Sequence, residues 1–168
     1  MPLVHAMPMM TRRSLYMCFV HHAARQEIIR TAMQIAAGMS HLHGEGVVHR
    51  DLAARNILVD EHYNCRVGDF GYARLLSTEE AVGQTAASVG PVKWMAPESM
   101  RKQYSARSDV WAFGVTLYEM VKGGEDPWLN IPVPEVCSRV MHGETLAQCV
   151  PLLYAIRAGG PHAAPLLS

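Results

Sequence analysis

The sequence lacks any cysteine pair at the spacing of a zinc knuckle. Cys18, Cys65, Cys137 and Cys149 are scattered, so neither a knuckle nor a disulfide framework is expected, and free thiols in a reducing compartment are. It lacks a charge excess: 15 basic residues face 15 acidic ones for a formal net of zero. That excludes recognition of nucleic acid or an anionic membrane through a broad field. It lacks an apolar run near the roughly 20 residues that cross a bilayer, and it lacks internal repeats. The amino end has a short apolar core, Leu15 to Val20, behind Arg12 and Arg13. No convincing small-residue cleavage site follows, so it is not read as a signal peptide. His41 and His43 stand two apart near a helix end and do not share a helical face, so their clustering with His49 is not read as a metal site. These absences predict a cytoplasmic chain. What is present suits one globular domain: 168 residues, 49% apolar and 18% charged, enough for a sizeable core.

Residues 1–25 are Met- and His-rich without periodicity and carry no assignment. Beyond them Ile28, Ala32, Ile35, Met39 and Leu42 recur at steps of four, three, four and three, which predicts an amphipathic helix from Gln26 to His43. Gly38 costs it up to about 1 kcal/mol, and Gly44 and Gly46 end it. "NILV" (56–59) and "CRV" (65–67), separated by the polar "DEHYN", predict a small hairpin. Residues 71–93 have little periodicity, and a loop of that length in a compact domain is usually functional or disordered. "SDVWAFGVTLYEMVKGG" (108–124) reads as a central helix, buried all round, capped by Ser108 or Asp109 and closed by Gly123 and Gly124. A shorter helix is predicted from Pro134 to His142. The Gly-, Ala- and Pro-rich end, residues 157–168, reads as a disordered tail. The expected fold is mainly α with a small β-hairpin.

One stretch demands chemistry. "HRDLAARN" (49–56) crowds His49, Arg50, Asp51, Arg55 and Asn56 together beside an apolar helix. "DFG" follows at 69, "PVKWMAPE" at 91 and "SDVWAFG" at 108. In that order and at those intervals the set resembles the protein kinase family, and within it the tyrosine kinases. The resemblance covers residues 26–156 and implies the lower lobe (C-lobe) of a catalytic domain, truncated, with the upper lobe missing.

The resemblance implies ATP and Mg2+ as cofactors and a protein with a tyrosine acceptor as substrate. Phosphoryl transfer needs positioning and charge neutralisation more than covalent help. Asp51 takes the catalytic-base position, to accept a hydrogen bond from the acceptor hydroxyl. Asn56 and Asp69 take the magnesium positions, and Leu58 the floor of the adenine pocket. Ala53 stands where serine/threonine kinases carry a Lys, and Arg55 resembles the tyrosine-kinase replacement. Pro91, Lys93 and Trp94 resemble the tyrosine-kinase substrate loop. His49 and Arg50 brace the catalytic loop, Arg50 being also a phosphate receiver in many kinases. Asp109 resembles the helix-start carboxylate that bonds that loop's backbone. Read as residue types alone, Trp94, Trp111, Phe113 and Leu58 are core.

The departures carry expectations too. No Gly-rich phosphate loop and no V-A-I-K lysine precede His49, so the chain alone is expected to be inactive without an upper lobe. The family pairs the Glu of A-P-E, here Glu98, with an Arg from a stretch replaced by "RAGGPHAAPLLS"; Arg157 is the nearby substitute. An unpaired buried carboxylate would cost about 3–5 kcal/mol, which predicts low stability. Tyr72 is expected beside the metal site. No Tyr lies between Ala73 and Lys93, so Glu79 and Glu80 are candidates to replace a phosphate opposite Arg50 or Arg74. Two readings follow: an ATP-dependent protein tyrosine kinase domain, incomplete here, or a non-catalytic kinase remnant that binds a protein partner through its exposed cleft.

Overall fold

The computed structural model describes residues 25–60, 62–75 and 91–146. The expectations for the amino end, Glu79, Glu80, Arg157 and the tail lie outside those residues.

Helix α1 runs from Arg25–Gly44, as its apolar spacing predicts. Ile35 and Met39 are buried, and Ile28, Ala32 and Leu42 pack against the same cluster. The helix ends where Gly46 takes a φ of +73° and its N–H reaches the His43 carbonyl at 3.0 Å. Gly38 has a reason to be there. A Cβ on it would lie 3.2 Å from Val67 Cγ2, tighter than ordinary packing, so the missing side chain eases the close approach of the helix to the neighbouring strand.

Two antiparallel ladders follow, one nested in the other. Strands β1 (Val47–Val48) and β4 (Arg74–Leu75) form the outer pair, and β2 (Ile57–Val59) and β3 (Cys65–Val67) the inner one. The inner register sets Ile57 opposite Val67 and Val59 opposite Cys65. It is the predicted hairpin, except that Asn56 belongs to a 3-10 turn, Ala54–Asn56. Asp60 shapes the connection. Its Oδ1 accepts the N–H groups of His62 at 2.9 Å and Asn64 at 2.8 Å. These bonds, Asn64's foremost, hold its carboxyl below the usual aspartate value. The outer ladder, Val47 opposite Leu75 and Val48 opposite Arg74, was not expected.

Helix α2 (Pro97–Met100) leads to α3 (Ala106–Val121), which is capped differently from the prediction. Ser105 is the N-cap and Ser108 its N3 partner in a capping box. Burial is also not all-round: Ala112, Val115, Thr116 and Met120 are inside, while Val110 is 63% exposed. Helix α4 (Val133–Met141) carries proline in its first turn as expected.

The main core joins Ile35 and Met39 of α1, Leu52, Ile57, and Ala112 and Met120 of α3. Leu52 is fully buried. A second cluster gathers Trp128, Val136 and Val140, with Met100 and Trp111 against it. The described residues are thus helix-rich with two small two-stranded sheets, and none of their helices is long and apolar enough to cross a membrane.

Candidate active site

The segment 49–56 hangs on one carboxylate. Asp109, buried in the first turn of α3, accepts the His49 N–H at Oδ2 (2.8 Å) and the Arg50 N–H at Oδ1 (3.0 Å). The His43 ring also bonds Oδ2, at 3.0 Å. The start of a helix favours a negative group, and backbone donors satisfy its charge without water. Arg50 takes a φ of 70°, a conformation an arginine holds only where its surroundings enforce it. Its guanidinium lies 4.6 Å from the centre of the Tyr104 ring. Burial foremost pulls that guanidinium below the ordinary arginine value.

His49 is the hub between two segments. The Asp51 N–H donates to Nδ1 at 3.3 Å, which leaves Nε2–H to donate to the Gly68 carbonyl at 3.0 Å. Its ring stands 5.5 Å from that of Phe70. Gly68 in turn donates its N–H to the Asn56 carbonyl at 2.9 Å. A Cβ on Gly68 would come within 3.0 Å of Leu58 Cδ1, so a larger residue there would have to push the Leu58 side chain aside. Asp69 follows directly.

Asp51 and Asn56 are locked to each other. Asn56 Nδ2 donates to the Asp51 carbonyl at 2.7 Å and to its Oδ2 at 3.0 Å. Arg55 donates to Oδ1 of the same carboxylate. With Nδ2 committed, Asn56 Oδ1 makes no hydrogen bond to a described residue. Asp69 differs: it is exposed, at a φ of 59°, a left-handed geometry aspartate tolerates. A Cβ on Gly71 would sit 3.3 Å from its Oδ1. Among the described residues no three His, Cys, Asp or Glu side chains stand close enough to hold a metal ion alone.

The segment 91–94 packs against the same loop. Pro91 precedes a 3-10 turn, Val92–Trp94, closed by the Trp94 N–H on the Pro91 carbonyl at 2.8 Å. Lys93 is paired with Asp126. Trp94 lies beneath Arg55, whose guanidinium is 4.6 Å from the centre of its ring.

The structure therefore brings His49, Arg50, Asp51, Arg55, Asn56, Asp109 and Trp94 into one network, with Asp69 beside it. Three expectations change. Leu58 is 56% exposed, since it faces out of the hairpin opposite Arg66, and is not core. Tyr72 is more exposed than expected, at 41%. Glu98 is half-buried and forms no ion pair with a described residue; its remaining water contact weakens the penalty expected of a buried charge.

Glu119 was missed. It is the single carboxylate in the otherwise apolar stretch 110–121, and that isolation was the available signal. Its Oε2 accepts the Ala54 N–H at 2.9 Å and Trp94 Nε1–H at 2.7 Å. Burial pushes its carboxyl above the ordinary glutamate value, against these two bonds and the nearby Arg55.

A family model described as protein tyrosine and serine/threonine kinase matches residues 5–156. The receptor tyrosine-protein kinase erbB-2 of Rattus norvegicus is 37% identical over 154 residues, covering 87% of this chain and 12% of that protein. Tyrosine-protein kinase Srms of Homo sapiens is 43% identical over 129 residues, 74% of this chain and 26% of that protein. The tyrosine-protein kinase receptor TYRO3 of Gallus gallus is 38% identical over 146 residues, 84% and 17% respectively. The chain spans between 12% and 26% of the length of these relatives.

Proposed function

This chain belongs to the protein tyrosine and serine/threonine kinase family, and we propose that residues 26–156 are the catalytic-loop half, the lower lobe, of an ATP-dependent kinase domain acting on protein tyrosine. The observation that carries this is the fixing of the Asp51 carboxylate. Arg55 and Asn56 hold its two oxygens, and the same network reaches Gly68, one residue from Asp69, through Asn56 and His49.

In this reading Asp51 accepts the hydrogen bond of the acceptor hydroxyl and orients it. Asn56 Oδ1 and the Asp69 carboxylate are hard oxygen donors, a partial set of the kind magnesium completes with nucleotide phosphates and water. When bound, magnesium and ATP supply the phosphoryl group and neutralise its charge. Leu58, exposed at the hairpin, supports the adenine. Arg55 steadies Asp51, and the Pro91–Trp94 segment carries the incoming side chain, an apolar support suited to a phenol ring.

The test is phosphotransfer by the natural polypeptide that carries this chain, with Mg2+, labelled ATP and a tyrosine-containing copolymer. Label on tyrosine, reduced by about 10²-fold or more in Asp51→Asn and in Asp69→Asn, is expected. Label confined to serine or threonine overturns the acceptor, and full activity in Asp51→Asn overturns the assignment of Asp51. A second reading draws on the exposed Leu58, Phe70, Tyr72 and Leu75 around the site, an apolar surface fit to bind a protein partner. Absence of both label and Mg-nucleotide binding would favour this non-catalytic module.

A further inference from the structure

From the contacts of Glu119 we infer that it is a positioning residue for the catalytic loop, an anchor on α3 that sets Arg55, and through Arg55 the Asp51 carboxylate. The inference rests on the reading of Asp51 given above and adds a residue outside every motif that identified the site.

Two bonds to a single oxygen carry it. Ala54 opens the turn Ala54–Asn56, and that turn has no side-chain cap of its own. Glu119 Oε2 accepts the Ala54 N–H and so fixes the backbone from which Arg55 projects. The same oxygen accepts Trp94 Nε1–H, which sets the tilt of the ring on which the Arg55 guanidinium lies. Arg55 is therefore held from its backbone and from the face of its guanidinium, and its remaining reach is taken by Asp51 Oδ1. A planar guanidinium over an indole is a directional contact that lysine would not reproduce. The placement of Glu119 supports an active role, because a carboxylate inside an apolar helix face is costly unless its bonds are used.

The roles of charge and of acceptor separate by substitution. In Glu119→Gln the amide oxygen can still accept both N–H groups; in Glu119→Met nothing can. The expected result is that Glu119→Met lowers kcat about tenfold or more, with KM for ATP little changed, while Glu119→Gln restores most of the rate. In an Arg55→Ala background Glu119→Met should leave kcat within about twofold of the single variant, since coupled residues do not add. A residue that only stabilised the fold would lower kcat by the same factor in both backgrounds, and that outcome overturns the proposal.

A second readout needs no activity. In the full chain labelled with 15N, protection of Trp94 Nε1–H from exchange should fall about tenfold in Glu119→Met, and the Arg55 Nε–H resonance should move. Unchanged signals at both overturn the inference whatever the enzyme does. If Glu119→Met does not fold, Trp94→Phe takes its place: it removes the indole donor, keeps the Ala54 bond, and should still lower kcat several-fold; an unchanged kcat overturns the proposal. Absence of phosphotransfer in the unaltered polypeptide counts against the kinase reading, and the exchange data then decide separately whether Glu119 braces Arg55.

Discussion

The two carboxylates of the site, Asp51 and Asp69, are held in opposite ways. Asp51 is buried, with both oxygens bonded by Arg55 and Asn56, and its loop is hung from Asp109. Asp69 is exposed at the head of a short turn, fixed through the backbone of Gly68 rather than through its own side chain. In the function proposed above, the contrast matches what each group would meet. A group that orients a hydroxyl gains from being set in advance, whereas a cation ligand must keep its oxygens free for the ion. Preorganisation is built into the chain at one carboxylate and left for the ligand to complete at the other.

Substitutions can break this comparison, and the largest effect belongs to Asp109. Asp109→Ala removes the acceptor of two backbone N–H groups and of the His43 ring, and should cost about 3–5 kcal/mol in urea unfolding. A loss below about 1 kcal/mol would show that the loop at 49–56 is held by something else. Leu52→Ala, which empties a fully buried site under the same loop, should cost about 2–5 kcal/mol by the same measurement. Asp69→Asn should fall within about 0.5 kcal/mol of the unaltered protein while abolishing Mg-nucleotide binding, measured by calorimetry. A large stability change there would mean that Asp69 is braced as Asp51 is, and the contrast would fail.

The smallest effect is a pH dependence at Glu119. Its carboxyl in the folded chain titrates above the ordinary glutamate value of 4.5, so the folded state binds a proton more readily than the unfolded one. The stability from that proton is fully present below pH 4.5 and lost as pH rises through the raised folded value. Asp60, with a lowered value, acts in the opposite sense, but it is common to both proteins in a comparison with Glu119→Gln. The difference in Tm should therefore shift in favour of Glu119→Gln as pH rises from 4.5. A flat or reversed difference would show that burial does not raise the Glu119 carboxyl.

Much of this arrangement was legible in the sequence because it is local. The spacing of Ile28, Ala32, Ile35 and Met39 gives α1, and the apolar segments flanking "DEHYN" give the hairpin. The order of the motifs gives the family and the residues that meet at the site. The rest depends on contacts with no local signal. A two-residue strand such as β1 has no period to detect, and its partner β4 lies 28 residues away, Val47 to Leu75. Ser105 gives no signal of its own because Ser108, nearer the apolar run, is an equally good cap by type; the two act as a reciprocal pair. Glu119 is masked by the apolar residues around it, although a lone carboxylate there has to find partners. Leu58 is core by residue type and a pocket floor by resemblance; its alternation in the hairpin turns it outward.

The nesting of the ladders has a consequence for the order in which the chain assembles. The inner pair joins positions as near as Val59 and Cys65, the outer pair positions as distant as Val47 and Leu75. Because ring closure costs more entropy as the enclosed segment lengthens, closing the inner stem first is the cheaper order, since it shortens the span the outer one must close. On that ordering Asp69 is drawn toward His49 late, once the hairpin and the loop at 49–56 already stand.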